Sequence, residues 1–116
     1  LKKLGRPDPS DSSTRMYGRV KSVEKMVKQR GDECMILGWV DMPFAEACSV
    51  CGVTEFMVML YENPKLAHQI LDFLTEIVID FALLQLENGS PMIGAGDAAA
   101  SLVSPQMYRE FALPYE

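Results

Sequence analysis

The sequence predicts an α/β protein with a parallel sheet, on three observations. Two short apolar runs, residues 34–40 and 91–97, stand on either side of a long stretch with helical periodicity. The first run is continuously apolar rather than alternating, which marks a strand buried on both faces. Strand, helix and strand in that order imply a right-handed crossover and parallel pairing. Two strands cannot sustain a parallel sheet alone, and a closed (β/α)8 barrel takes about 250 residues. The expected architecture is therefore a partial barrel: two parallel βα units of a larger one, with residues 1–116 a single internal segment. The chain opens on Leu1 rather than Met and ends at Glu116 inside a helical pattern, so a longer gene product is expected.

Residues 1–14 are rich in Pro, Ser, Asp and Gly and read as a loop broken by Pro7 and Pro9. From Thr14 to Arg30 apolar residues fall at Met16, Val20, Val23, Met26 and Val27, a helical period, with Lys21, Lys25, Lys28 and Arg30 on the wet side. Gly31 is the stop. The run Cys34 to Val40 is the first strand. Pro43 then opens a helix that runs to about Cys51 and ends at Gly52, and Thr54 caps a further helix through Tyr61.

The strongest helix follows. Asn63 is a good N-cap with Pro64 at the first helical position. Leu66, Ile70, Phe73, Leu74, Ile77, Val78, Phe81 and Leu84 form one apolar stripe, and Lys65, Gln69, Asp72, Glu76 and Asp80 form the opposite face. Asn88-Gly89 ends it. Pro91 to Asp97 is a thinner, Gly-rich second strand, and glycine in a strand marks close approach of backbone or ligand. Small residues 98–103 form a loop or single turn, after which Ser104-Pro105 opens a last helix.

Composition excludes several function classes. The chain is 48% apolar and 23% charged, ordinary for a globular domain. A net charge of −5 argues against nucleic-acid and anionic-membrane partners. Leu66 to Leu86, the longest apolar stretch, is broken by Asp72, Glu76 and Asp80, so no bilayer span is expected. Three cysteines give no disulfide framework and fit a reduced, cytoplasmic setting. Motifs for phosphate loops, dinucleotide binding, Ser-His-Asp triads and zinc peptidases are missing.

Residues 38–116 carry a family resemblance. Gly38-Trp39-Val40-Asp41-Met42-Pro43-Phe44 resembles the strand followed by G-P-F or A-P-W in the uroporphyrinogen decarboxylase family. Leu60-Tyr61-Glu62-Asn63-Pro64 looks like that family's L-Y-x-x-P entry to its long helix, and Glu87-Asn88-Gly89-Ser90 like its E-A-G-A before the next strand. Gly96-Asp97, Ser101 and Ser104 to Tyr115 resemble its D-x-x-x-S-x-x-S-P-x-x-Y-x-E-F-x-x-P-Y. The resemblance implies a TIM barrel and one of two chemistries. One branch decarboxylates uroporphyrinogen III in porphyrin biosynthesis without a cofactor. The other moves methyl groups between a corrinoid and a thiol or methyl donor, commonly with zinc.

Where decarboxylases of the family carry a substrate-contacting Tyr and Ser, the matching positions here are Ser49 and Ala98. The sequence-based expectation is therefore the methyltransferase-like branch, acting on a small methylated compound, with uroporphyrinogen III decarboxylation as the alternative. A non-catalytic barrel that binds a corrinoid or a protein is a third reading. The resemblance implies zinc and a corrinoid in the whole enzyme, neither held by this segment. It also implies a small-molecule substrate, a corrinoid protein as partner, and a need for the rest of the barrel.

Active-site groups of a parallel barrel sit at the C-terminal strand ends. That rule selects Trp39, Asp41 and Glu46 after the first strand, and Asp97 and Ser101 after the second. Asp97 is the candidate catalytic residue, since a carboxylate after a Gly-rich strand can bind a cationic or hydrogen-bond-donating group or act as acid or base; its ordinary alternative is to cap the next turn. Trp39, Glu46 and Ser101 are the candidate substrate-binding residues, weighed against core packing, a solvated helix acid and a loop hydroxyl. Cys48-Ser49-Val50-Cys51 is formally C-x-x-C, but one pair supplies too few ligands for structural zinc, and helix packing is the expectation. His68 is expected on a helix surface.

Overall fold

The computed structural model describes residues 5–116. Of the predicted loop 1–14, residues 1–4 lie outside the described residues. The elements run α1 Arg15–Arg30, β1 Gly38–Asp41, α2 Pro43–Cys51, α3 Val53–Glu62, α4 Pro64–Glu87, β2 Ile93–Gly96 and α5 Pro105–Phe111, with 3-10 turns at Ala98–Leu102 and Leu113–Tyr115. This is the predicted order. β1 and β2 pair. Gly38 N–H donates to Met92 C=O (3.0 Å) and Met42 N–H to Gly96 C=O (2.8 Å), so both chains advance in the same direction in one register. The pairing is parallel, and the result is a mixed α/β architecture consistent with part of a barrel.

The chain divides into two units. In the first, residues 5–40 with Ile79–Ala95, α1 begins where Thr14 accepts a hydrogen bond from the Tyr17 N–H. Val20 and Val23 are its buried residues. Gly89, at φ 98°, ends α4 in the left-handed conformation, and a side chain there would meet Val27. In the second, Asp41–Val78 with Gly96–Glu116, the core is Phe44, Ala47 and Cys48 of α2, Phe56 and Leu60 of α3, Ala67, Leu71 and Leu74 of α4, and Phe111. Phe44 and Phe56 meet edge to face, 5.5 Å apart. α2 and α3 turn through 108° at Gly52, whose φ of 91° a side-chain-bearing residue adopts only with strain.

Four expectations are corrected. The first strand is shorter than the apolar run, and it is not covered on both faces. Gly38 and Val40 are buried while Trp39 and Asp41 are exposed, and the alternation extends back through exposed Leu37 and Met35. No described element covers that face. The cap of α3 is Gly52 rather than Thr54, because the positive φ of Gly52 already turns the chain so that Val53 starts the helix. On α4 the predicted stripe is mostly half-buried, and the deepest line is Ala67, Leu71 and Leu74, where a small Ala admits close approach.

His68 is half-buried rather than simply solvent-facing on its helix. It stacks on Phe111 at 4.6 Å, and its Nδ1 shares a hydrogen bond with the Tyr115 hydroxyl at 2.7 Å. Asn63 and Ser104 cap α4 and α5 as expected, accepting from Leu66 and Met107 N–H. Among the described residues no single helix is long and apolar enough to cross a membrane.

Candidate functional site

In the second unit the strand ends carry acids. β1 stops at Asp41, because Pro43 at the first helical position turns the chain into α2. β2 stops at Gly96, and Asp97 follows as the N-cap of the next turn, its side chain reaching over that turn. Its Oδ1 accepts the Ala100 N–H at 3.3 Å, so the capping role is real. Its Oδ2 is buried and has no hydrogen-bond partner among the described residues. The Ala45 N–H lowers the carboxyl's pKa slightly without meeting the geometry of a bond.

Burial is the main force that pushes Asp97 up to about 6, with Glu116 and Asp41 adding repulsion against the Ala100 and Ala45 donors. Glu46 is raised too, first by burial and then by Asp41. The structure thus brings Asp41, Glu46 and Asp97 into one electrostatic set. Cys48 reports the same field: burial and then Asp97 push its thiol up to about 11. Such a set suits a ligand that brings cationic or N–H groups, and a carboxyl raised to about 6 is suited to accept or return a proton.

Ser101 stands outside this set. It is exposed, and its hydroxyl donates to the Ala98 C=O at 2.7 Å, a local turn contact. Sequence reasoning missed Glu116 and Tyr108, whose hydroxyl donates to Glu116 at 2.6 Å. Tyr108 was marked only as the Y of the S-P-x-x-Y segment, and nothing in the local pattern marked Glu116.

Trp39 belongs to the first unit. The residue is 53% exposed, and its indole lies against Gly94 of the neighbouring strand, where an added Cβ would stand 2.7 Å from two ring carbons. That close approach explains the glycine. Its backbone is held from α4: the Gln85 amide accepts from Trp39 N–H and donates to Trp39 C=O, both at 3.1 Å. Ser90 works beside it, its hydroxyl accepting from Gly38 N–H (2.8 Å) and lying 3.1 Å from Ile36 C=O and 2.8 Å from Met92 C=O. Gln85 and Ser90 are the two buried polar side chains of the chain's described part. Sequence reasoning missed both. The available signal was a polar residue four positions after Phe81, on the apolar side of the helix.

The cysteine pair reads as packing. Cys48 is buried and Cys51 half-buried, and burial raises both thiols away from the reactive thiolate. Among the described residues no three His, Cys, Asp or Glu converge to hold a metal ion.

Comparison with known proteins gives one consistent answer. A family profile described as Uroporphyrinogen decarboxylase (URO-D) matches residues 1–116. Among curated relatives, a uroporphyrinogen decarboxylase of Myxococcus xanthus is 26% identical over 99% of this chain and 34% of its own length. That of Microcystis aeruginosa is 30% identical over 84% of this chain and 30% of its own length. That of Chlorobium phaeobacteroides is 42% identical over 49% of this chain and 16% of its own length. The chain therefore spans no more than about a third of these relatives.

Proposed function

The chain belongs to the uroporphyrinogen decarboxylase family, and on that premise we propose that it forms one acid-bearing wall of the substrate pocket in a cofactor-free decarboxylase of a pyrrolic polycarboxylate. The names of its relatives support this reaction over the methyl transfer that residue matching alone suggested. The observation that carries the assignment of a role is Asp97: a carboxyl at a strand's C-terminal end, raised to about 6, with one oxygen buried and unpartnered. Loss of CO2 leaves an electron pair on carbon, which needs delocalisation and then a proton. Pyrrole N–H groups are donors that the free Oδ2 can accept, and a group titrating near neutrality is matched to proton transfer. Glu46 supplies further acid character beside Asp97, and Trp39, in the first unit, is proposed on its own account as a flat apolar contact for substrate. The cysteines stay reduced in a cytoplasmic setting.

A second reading, corrinoid-linked methyl transfer, is favoured by a specific observation. Ser49 and Ala98 replace the Tyr and Ser that the decarboxylase resemblance calls for, and both are exposed. Acids at the strand ends also repel a polyanionic substrate. One two-arm assay on the whole protein separates the readings. One arm supplies uroporphyrinogen III anaerobically and counts the carboxyl groups lost by chromatography. The other supplies methylcobalamin with a thiol and follows demethylation by absorbance. Turnover in the first arm, falling roughly 10²–10⁴-fold in Asp97→Asn, supports decarboxylation. Turnover only in the second arm replaces it with methyl transfer, and turnover in neither leaves a binding barrel. Full activity in Asp97→Asn removes Asp97 from the chemistry.

A further inference from the structure

In a strand, the N–H and C=O groups of successive residues point to opposite edges. Gly38 N–H points to β2, where it meets Met92 C=O. The N–H and C=O of Trp39 therefore point to the other edge, and there the Gln85 side chain takes both of them. A primary amide carries one acceptor and one donor side by side, as a peptide group of a neighbouring strand does. Gln85 is 2% exposed, so its two bonds are shielded from competing water. Its Oε1 also lies 3.0 Å from where a Gly38 Cβ would be, so the glycine leaves the amide room to reach across.

Trp39 is thus fixed at two points. Its backbone is clamped by Gln85 on one side of the strand, and its indole rests over Gly94. From this we infer that Gln85 is a positioning residue: it acts through Trp39, setting the height and tilt of the exposed indole without touching substrate. The inference rests on the reading that Trp39 contacts substrate, and it extends that reading to a residue on the far side of the strand. No apolar residue of similar length can substitute, because the Trp39 N–H and C=O would lose their partner together. Glutamate can substitute only while protonated, when its C=O accepts and its O–H donates in the same arrangement.

The test is 19F NMR on the whole protein labelled with 5-fluorotryptophan, with the Trp39 line assigned by its loss in Trp39→Phe. Gln85→Met should shift and broaden that line. Gln85→Glu should give a wild-type-like line at low pH that moves toward the Gln85→Met position as the acid ionises. That transition should lie above the ordinary glutamate range because the site is buried. A Trp39 line unmoved in Gln85→Met overturns the inference. Should that variant fail to fold, Gln85→Glu decides alone: a line that does not follow the titration, after subtraction of the wild-type pH profile, overturns it. The same variants are carried through the two-arm assay. A raised KM with kcat nearly unchanged supports both claims. A line that moves while KM stays constant keeps Gln85 as the clamp of Trp39 but takes Trp39 out of substrate contact, ending Gln85's role as a positioning residue for substrate.

Discussion

Replacing Asp97 by asparagine should make the protein more stable above neutrality while cutting the proposed decarboxylation roughly 10²–10⁴-fold. Asn keeps the shape and the Oδ1 that accepts the Ala100 N–H. It removes the charge that burial penalises. The sign follows from linkage. The folded state raises the carboxyl from 3.8 to about 6, so the folded protein binds the proton more tightly than the unfolded chain does. Stability is then full below pH 3.8, is lost as pH rises through 6, and stays reduced above that. At ~1.4 kcal/mol per pH unit the gap corresponds to about 3 kcal/mol. Asp97 is only partly withdrawn from water, and screening reduces the expected effect to about 1 kcal/mol. Urea unfolding of the whole protein and of Asp97→Asn, repeated from pH 4 to pH 8, reads it directly. The variant should match the parent at pH 4 and exceed it by about 1 kcal/mol at pH 8. A difference that is flat across pH, or an Asn variant that is less stable at pH 8, would refute the desolvation argument.

Three further outcomes are expected. Ser90→Ala should cost about 1 kcal/mol in thermal unfolding, because the part-buried hydroxyl shared between the Ile36 and Met92 carbonyls is lost while Gly38 N–H keeps Met92. Gly52→Ala should cost about 1–2 kcal/mol, since φ there is 91° and the new methyl would also displace the Glu55 carboxylate. Mass-spectrometric mapping after brief iodoacetamide treatment at pH 8 should find Cys34 alkylated well before Cys48. Cys34 is exposed, whereas Cys48 is buried with its thiol held near 11.

Local chemistry made most of the fold legible. Asn63-Pro64 and Ser104-Pro105 announced two helix starts, and their side chains make the predicted caps. Gly89 announced an end, and its left-handed φ bears that out. Burial was less legible, because it depends on what else surrounds an element. The run 34–40 looks doubly buried, yet one face of β1 is open among the described residues. His68 looked solvent-facing by helical position, but the chain's last turn folds back to supply Phe111 and Tyr115. Of the candidate site, the strand-end rule located Asp97, Asp41 and Glu46, which share one field. It also chose Ser101, whose hydroxyl is occupied within its own turn. Gln85 and Ser90 escaped because their partners are backbone groups some fifty positions away in sequence, such as Trp39 at 46 and Gly38 at 52 residues' separation.

The indole lying over Gly94 makes two distant positions a single steric unit. A side chain at 94 would force the indole at 39 to shift. Neither site can be varied alone without vacating or overfilling the same space. A saturation library over the pair should therefore recover large residues at 94 chiefly alongside small ones at 39. Any redesign meant to enlarge this wall must move the two strands' side chains as one.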